Sequence, residues 1–154
     1  MTGKRSLRLA WTTAVREEID DLHVFFQEWF LGEIPNEAAR FERVERALGP
    51  SFSMIDPDGV SSERDDVITE IRDAHGSKAG ETFRIWVRFV RLRDLSDSRF
   101  LATYEEWQET EDGVTSRLSS VLFEVRPGTA VSRERLRWLF VHETWRAEKA
   151  PADD

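Results

Sequence analysis

Phe83-Arg84-Ile85-Trp86-Val87-Arg88-Phe89-Val90 marks the point where the hydrophobic period of this chain changes from helical to strand-like. Phe83, Ile85, Val87 and Phe89 alternate with Arg84, Trp86, Arg88 and Val90, the period-two pattern of a strand with two different faces. Similar runs follow near 98–110, 114–126 and 135–146. Glu111-Asp112-Gly113 makes a hairpin turn between the first two of these, and Pro127-Gly128 opens the next connection. Such short connections join antiparallel neighbours, because a parallel crossover needs roughly a dozen residues or more.

Upstream of residue 83 the period is helical. Trp11, Val15, Ile19, Leu22, Phe26 and Trp29 recur at steps of three and four, which puts them on one face of a first helix. Arg16, Glu17, Asp20 and Asp21 fall on the solvated side, and Gly32 with Pro35 ends the helix. A second helix is expected from about Asn36 to Leu48, with Phe41, Val44 and Leu48 inward. Ser51 to Ile55 alternates like a short strand and enters the turn Asp56-Pro57-Asp58-Gly59. A third helix is expected from Ser61 or Ser62, with Asp65 and Asp66 in its first turn and Val67, Ile68, Ile71 and Ala74 inward. Helices followed by such a sheet make an α+β layer arrangement: three N-terminal helices packed on a curved mixed or antiparallel sheet. One domain spans 1–154, with its core at about 8–146 and a tail at 147–154. The chain is expected to fray before about Ser6.

Composition narrows the function. The 154 residues suffice for one core, 40% of them are apolar, and there is no Cys for disulfides or thiolate metal sites. A net charge of −8 opposes general nucleic-acid binding, which needs a basic surface. No run reaches the roughly 18 apolar residues of a membrane helix, and no leader-like segment opens the chain, so a cytoplasmic protein off the membrane is expected. His23 and His75 lack acidic or His neighbours at metal-ligand spacing, and no Gly-rich phosphate loop is present, so neither a metal nor a cofactor is expected.

The long first helix ending in Gly32, the strand ending in Asp56-Pro57-Asp58-Gly59 and the helix opening Ser-Ser-Glu-Arg-Asp together resemble the SnoaL-like members of the nuclear transport factor 2-like superfamily. Tyr104-Glu-Glu-Trp-Gln, Arg117-Leu-Ser-Ser and Trp138-Leu-Phe-Val-His-Glu-Thr-Trp145 extend the likeness to uncharacterised members whose last strand carries a Trp…His signature. The resemblance covers about residues 8–146 and implies a cone-shaped fold. It names no reaction, because the fold hosts isomerases, dehydratases, cyclases and non-catalytic subunits. Its ketosteroid isomerase members carry a base in an Asp-Pro context, which Asp56 matches. They use a Tyr near the position of Phe25 and a neutral acid near that of Glu105. Phe25 therefore implies an apolar wall where those relatives place a hydroxyl.

Several residues are candidates for a site. Asp56 is a candidate base if buried, although turn chemistry alone also selects Asp-Pro-Asp-Gly. Asp58 is expected to point to solvent. His142, in phase with Trp138, Phe140 and Thr144, is a candidate acid, base or donor, or else a structural His. Tyr104 and Glu106 share one strand face and Glu105 and Trp107 the other, and either pair suits a pocket. Trp29 and Trp86 are candidate ligand-contacting aromatics. Arg84 and Arg88, with Arg133, Arg135 and Arg137, are expected to pair with the 30 acidic residues.

Two function classes remain. One is a small-molecule pocket for an apolar or amphipathic ligand inside the cone, with or without cofactor-free acid–base chemistry. The other is a non-catalytic accessory module that binds a protein. A cleft holding two or more of Asp56, Tyr104, Glu105, Glu106 and His142 favours the first. In either case, bulky apolar residues on both strand parities predict a homodimer through the sheet face.

Overall fold

The computed structural model describes residues 2–146; the expected tail lies outside the described residues. Helix α1 runs Thr2–Leu31, so it begins before the fraying expected near Ser6. Helix α2 (Ala38–Ala47) leads into strand β1 (Leu48–Ile55), and β2 (Ser61–Glu63) into helix α3 (Arg64–Asp73). Four long strands follow: β3 (Phe83–Leu95), β4 (Arg99–Thr110), β5 (Gly113–Val125) and, after a 3₁₀ turn at Arg133–Arg135, β6 (Leu136–Trp145). The helix expected from Ser61 starts three residues later. Ser61, Ser62 and Glu63 pair antiparallel with Ile55, Met54 and Ser53 instead, because the Asp56 turn folds them back onto β1.

The six strands form one sheet in the order β2-β1-β6-β5-β4-β3. Among the described residues only β1 and β6 run parallel, so the sheet is mixed. Of its four register irregularities, two bear on the site. In β3 the register slips by one residue between Arg88 and Arg91, where Phe89 holds a left-handed φ of 55°. In β6, Phe140 pairs with Leu122 but Trp138 with Phe123, which leaves Leu139 as the extra residue of a bulge. Such insertions bend and twist a strand, and both help curl the sheet round the helices.

Helix α1 crosses the concave face. Trp11, Val15, Ile19, Leu22 and Trp29 are buried as their spacing predicts, and Phe26 is half-buried. Trp11 meets Phe100 edge-on at 4.8 Å, and the Gln27 side chain accepts the Ile85 N–H at 2.9 Å. Gly32 ends the helix at φ 71°, and an added Cβ there would come within 3.3 Å of Gly76 Cα. That approach lets the Gly76 and Lys78 N–H groups cap the Trp29 and Phe30 carbonyls.

Buried Glu18 ties the other side of α1 to α2 and β6. Its carboxylate receives the Trp138 indole N–H at 2.9 Å and a bidentate Arg43 at 2.8 and 3.2 Å. Two-pronged pairing of this kind satisfies a carboxylate that burial would otherwise penalise.

Candidate functional site

Between α1, α3 and the concave sheet lies a cavity of about 410 Å³. Its walls include Phe26, Phe30, Phe52, Met54, Phe83 and Ile85; Glu70, Ser77 and Lys78 line it on the α3 side, and its sheet-side polar groups come from His23, Tyr104, Glu106, Gln108, Arg117 and Glu143. Strand alternation brings the last five together: Tyr104, Glu106 and Gln108 share one face of β4, with Arg117 on β5 and Glu143 on β6 beside them. His23 enters from α1, one residue beyond Leu22 on the buried stripe.

The cluster is bonded throughout. His23 Nε2 lies 2.9 Å from Glu106 Oε1, and His23 Nδ1 lies 2.7 Å from the Ile19 carbonyl. Both partners are natural acceptors, so the geometry suits a doubly protonated ring, an imidazolium facing a carboxylate. Gln108 donates to Glu106 Oε2 at 2.7 Å. Arg117 bridges the two acids, 3.6 Å from Glu106 and 3.3 Å from Glu143, and the Ser119 hydroxyl donates to Glu143 at 3.4 Å.

Electrostatics follow from these bonds. Burial pushes Glu106 upward, but the His23 hydrogen bond and charge, with Arg117 and Gln108, outweigh it and hold the carboxyl at about 2. Burial opposes the His23 charge, yet Glu106 and the Ile19 carbonyl raise its pKa overall. Glu143 is driven up to about 7 by burial and then by Glu106, with Arg117 only partly offsetting them. Burial and the two acids also raise the Tyr104 hydroxyl well above its usual value, so it stays protonated.

These shifts predict a pH profile. Glu143 has a folded pKa raised from 4.5 to about 7, so its contribution is full below 4.5 and is lost as pH climbs to about 7. Glu106, held at about 2, contributes above 4.5 and loses that contribution as pH falls towards 2. Glu143→Gln should therefore flatten the fall in stability between about pH 4.5 and 7 and exceed the parent above it. Urea midpoints across that range check this, and parallel curves would refute it.

The anticipated site residues divide between the two sheet faces, and Tyr104, Glu105 and His142 also line one cleft on the outer face. Tyr104 and Glu106 lie in the cavity, so their parity is the inward one. Glu105 and Trp86 lie on the outer face, where Glu105 accepts the Trp107 indole N–H at 2.9 Å and Trp86 stacks on Trp107 at 6.0 Å. Trp29 is fully buried in the core, with Phe25 stacked on it at 5.6 Å. Phe25 faces a separate cleft shared with Glu28, Ile34 and Arg40, so it forms no wall of the cone cavity.

His142 is exposed on the outer face. The β6 bulge reverses the alternation after Trp138, so Val141 and Glu143 turn inward in place of Phe140 and His142. Asp56 caps its own turn: Oδ1 accepts the N–H groups of Asp58 and Val60, both at 2.9 Å. It does not line the cavity. Asp58 is exposed as expected, but its carboxylate accepts the Trp145 indole N–H at 3.0 Å. Asp56→Ala should cost about 1–2 kcal/mol through the lost turn bonds and leave any cone ligand unaffected. Thermal unfolding alongside a binding titration checks both.

Sequence reasoning passed over His23, Arg117 and Glu143. The signal for His23 was present, since Ile19, Leu22, His23 and Phe26 are one helical face and a polar residue within an apolar stripe needs a buried partner. Among the described residues, no group of three or more acidic, His or Cys side chains is arranged to hold a metal ion.

Three helices on a curved six-stranded sheet that wraps one polar-ended cavity define a nuclear transport factor 2-like domain with the cystatin-like cone. Solved structures agree. A nuclear transport factor 2-like protein of unknown function from Pseudomonas aeruginosa is 27% identical, with a TM-score of 0.74 over 87% of this chain and 99% of that one. A hexachlorocyclohexane dehydrochlorinase from Novosphingobium barchaimii shares the fold alone, at 9% identity and TM-score 0.64 over 93% and 91%.

Within that class the chain belongs to the family Sucrose-6-phosphate phosphohydrolase C-terminal, whose model matches residues 15–147. Sucrose-phosphatase 1 of Nicotiana tabacum is 29% identical over 136 residues, which is 88% of this chain and 32% of the relative. The chain spans about a third of the length of the curated relatives it matches.

Proposed function

We propose that the domain is a small-molecule binding module whose ligand occupies the cone, with its apolar side on the phenylalanine walls and its polar atoms at the His23–Glu106–Arg117–Glu143 cluster. The observation that carries this reading is the convergence of Tyr104 and Glu106 with His23, Gln108, Arg117 and Glu143 in one cavity of about 410 Å³. Cavities of roughly 300–1,000 Å³ with apolar walls and a few convergent polar groups are the usual form of such sites. His23 is a poor base, because both its ring nitrogens are engaged. Any acid–base step would fall to Glu143, whose carboxyl at about 7 exchanges its proton near neutrality. The relatives named as sucrose-phosphatases make sucrose and its phosphate ester the first natural candidates.

The neutral fluorophore N-phenyl-1-naphthylamine tests the pocket itself. Its emission should rise with the parent chain and stay at background with Met54→Trp, which fills the cavity. Equal emission with both chains, or none with either, overturns the reading.

A second reading concerns the outer sheet face, where Phe89 (61%), Leu101 (39%) and Leu118 (47%) remain exposed in a single chain. With half-buried Leu122 and Phe140 nearby, this patch suits a second copy of the chain. Light scattering should return twice the 17.9 kDa of one chain, and Leu118→Glu should halve it. A single-chain mass for the parent at micromolar concentration removes this reading.

A further inference from the structure

Resting on the reading of the cone as a ligand pocket, we propose that it takes an uncharged cyclic polyol of the mono- or disaccharide class and rejects the phosphate ester of the same molecule. The argument begins with the charges already in the cavity. His23 and Arg117 are two cations facing two acids, Glu106 and Glu143, and all four are largely removed from water. Both His23 nitrogens are spent, and Arg117 is divided between the two carboxyls. An arriving phosphate would meet two acids whose neighbouring cations, His23 and Arg117, are already engaged, where desolvation costs most. Lys78, the other cation of the lining, shares it with Glu70 and sits 5.9 Å above the Phe83 ring. A ligand ammonium faces the opposite difficulty from His23 and Arg117.

A hydroxyl suits both halves of the cluster, because it donates and accepts at once. Glu143 holds its two bonds at 3.3 and 3.4 Å, near the long end of the useful range, so it keeps capacity to accept from a better-placed donor. Gln108 and the protonated Tyr104 hydroxyl can donate to ligand oxygens. Phe26 and Phe30 lie nearly parallel, 6.0 Å apart with planes 12° off, and with Phe83 they line the cavity where the C–H face of a sugar ring would rest.

The test uses the intact chain and follows backbone amide shifts of cone residues such as Phe30, Tyr104 and Glu106 during titration to millimolar sucrose or sucrose 6-phosphate. Sucrose should shift these amides and displace N-phenyl-1-naphthylamine. The ester should bind weaker by roughly tenfold or more, since burying like charges together is penalised. Glu143→Gln removes one acid and should narrow that ratio, which a merely structural Glu143 would not do. An ester that binds the parent cone as tightly as sucrose overturns the proposal. Fluorophore binding that Met54→Trp blocks, with no cone shift from sucrose, overturns the ligand class and leaves the pocket standing. A cone that takes neither sugar nor fluorophore ends both.

Discussion

Trp29→Ala should lower the unfolding free energy by about 3–5 kcal/mol, the cost of deleting a fully buried large aromatic. The indole is a junction. Its ring meets His75 edge-on at 4.5 Å and Phe41 at 5.2 Å, and Phe25 stacks on its other side. Its N–H donates to the Ile71 carbonyl at 2.8 Å, so truncation also removes one of the two donors to that carbonyl, the Ala74 N–H remaining. Trp29→Phe should recover part of the loss by refilling the space without restoring the hydrogen bond. Urea denaturation followed by circular dichroism measures each step. A Trp29→Ala curve that overlays the parent would show that α1, α2 and α3 do not meet at this ring.

Glu106→Leu should be comparably damaging, at about 3–5 kcal/mol, because it strands a buried imidazolium rather than removing a pair. The sign of its pH dependence is distinctive. His23 has its folded pKa raised above 6.5, so the pair's contribution is full below 6.5 and fades as pH rises through the folded value. The gap between parent and variant should therefore shrink in mildly alkaline solution, where an unpartnered His23 is neutral. The double variant His23→Leu, Glu106→Leu should recover much of the loss, since an apolar pair of similar bulk carries no uncompensated charge. A double variant no better than Glu106→Leu alone would argue that the surrounding bonds of Arg117 and Gln108, and not the pair, hold this end of the cone.

Fold and site were legible to different depths. The change of period at Phe83, the α1 stripe and the turn residues at Asp56–Gly59 and Glu111–Gly113 determined the α+β class and the element order except for β2. These signals act within a few residues along the chain, so one sequence contains them whole. Which face of each strand turns inward was a tertiary matter. Alternation carries a parity only until a bulge resets it, and the extra Leu139 moved Glu143 into the cavity and His142 out to solvent. The polar cluster was equally hidden, because His23 and Glu106 stand 83 positions apart and Arg117 and Glu143 stand 26 apart. Asp56 shows the converse. Its turn chemistry was plain, and only the bonds to Asp58 and Val60 decided that its Oδ1 is spent on the turn. Local pattern determined where helices and strands run, while closure of the curved sheet on α1 decided which charges meet away from water.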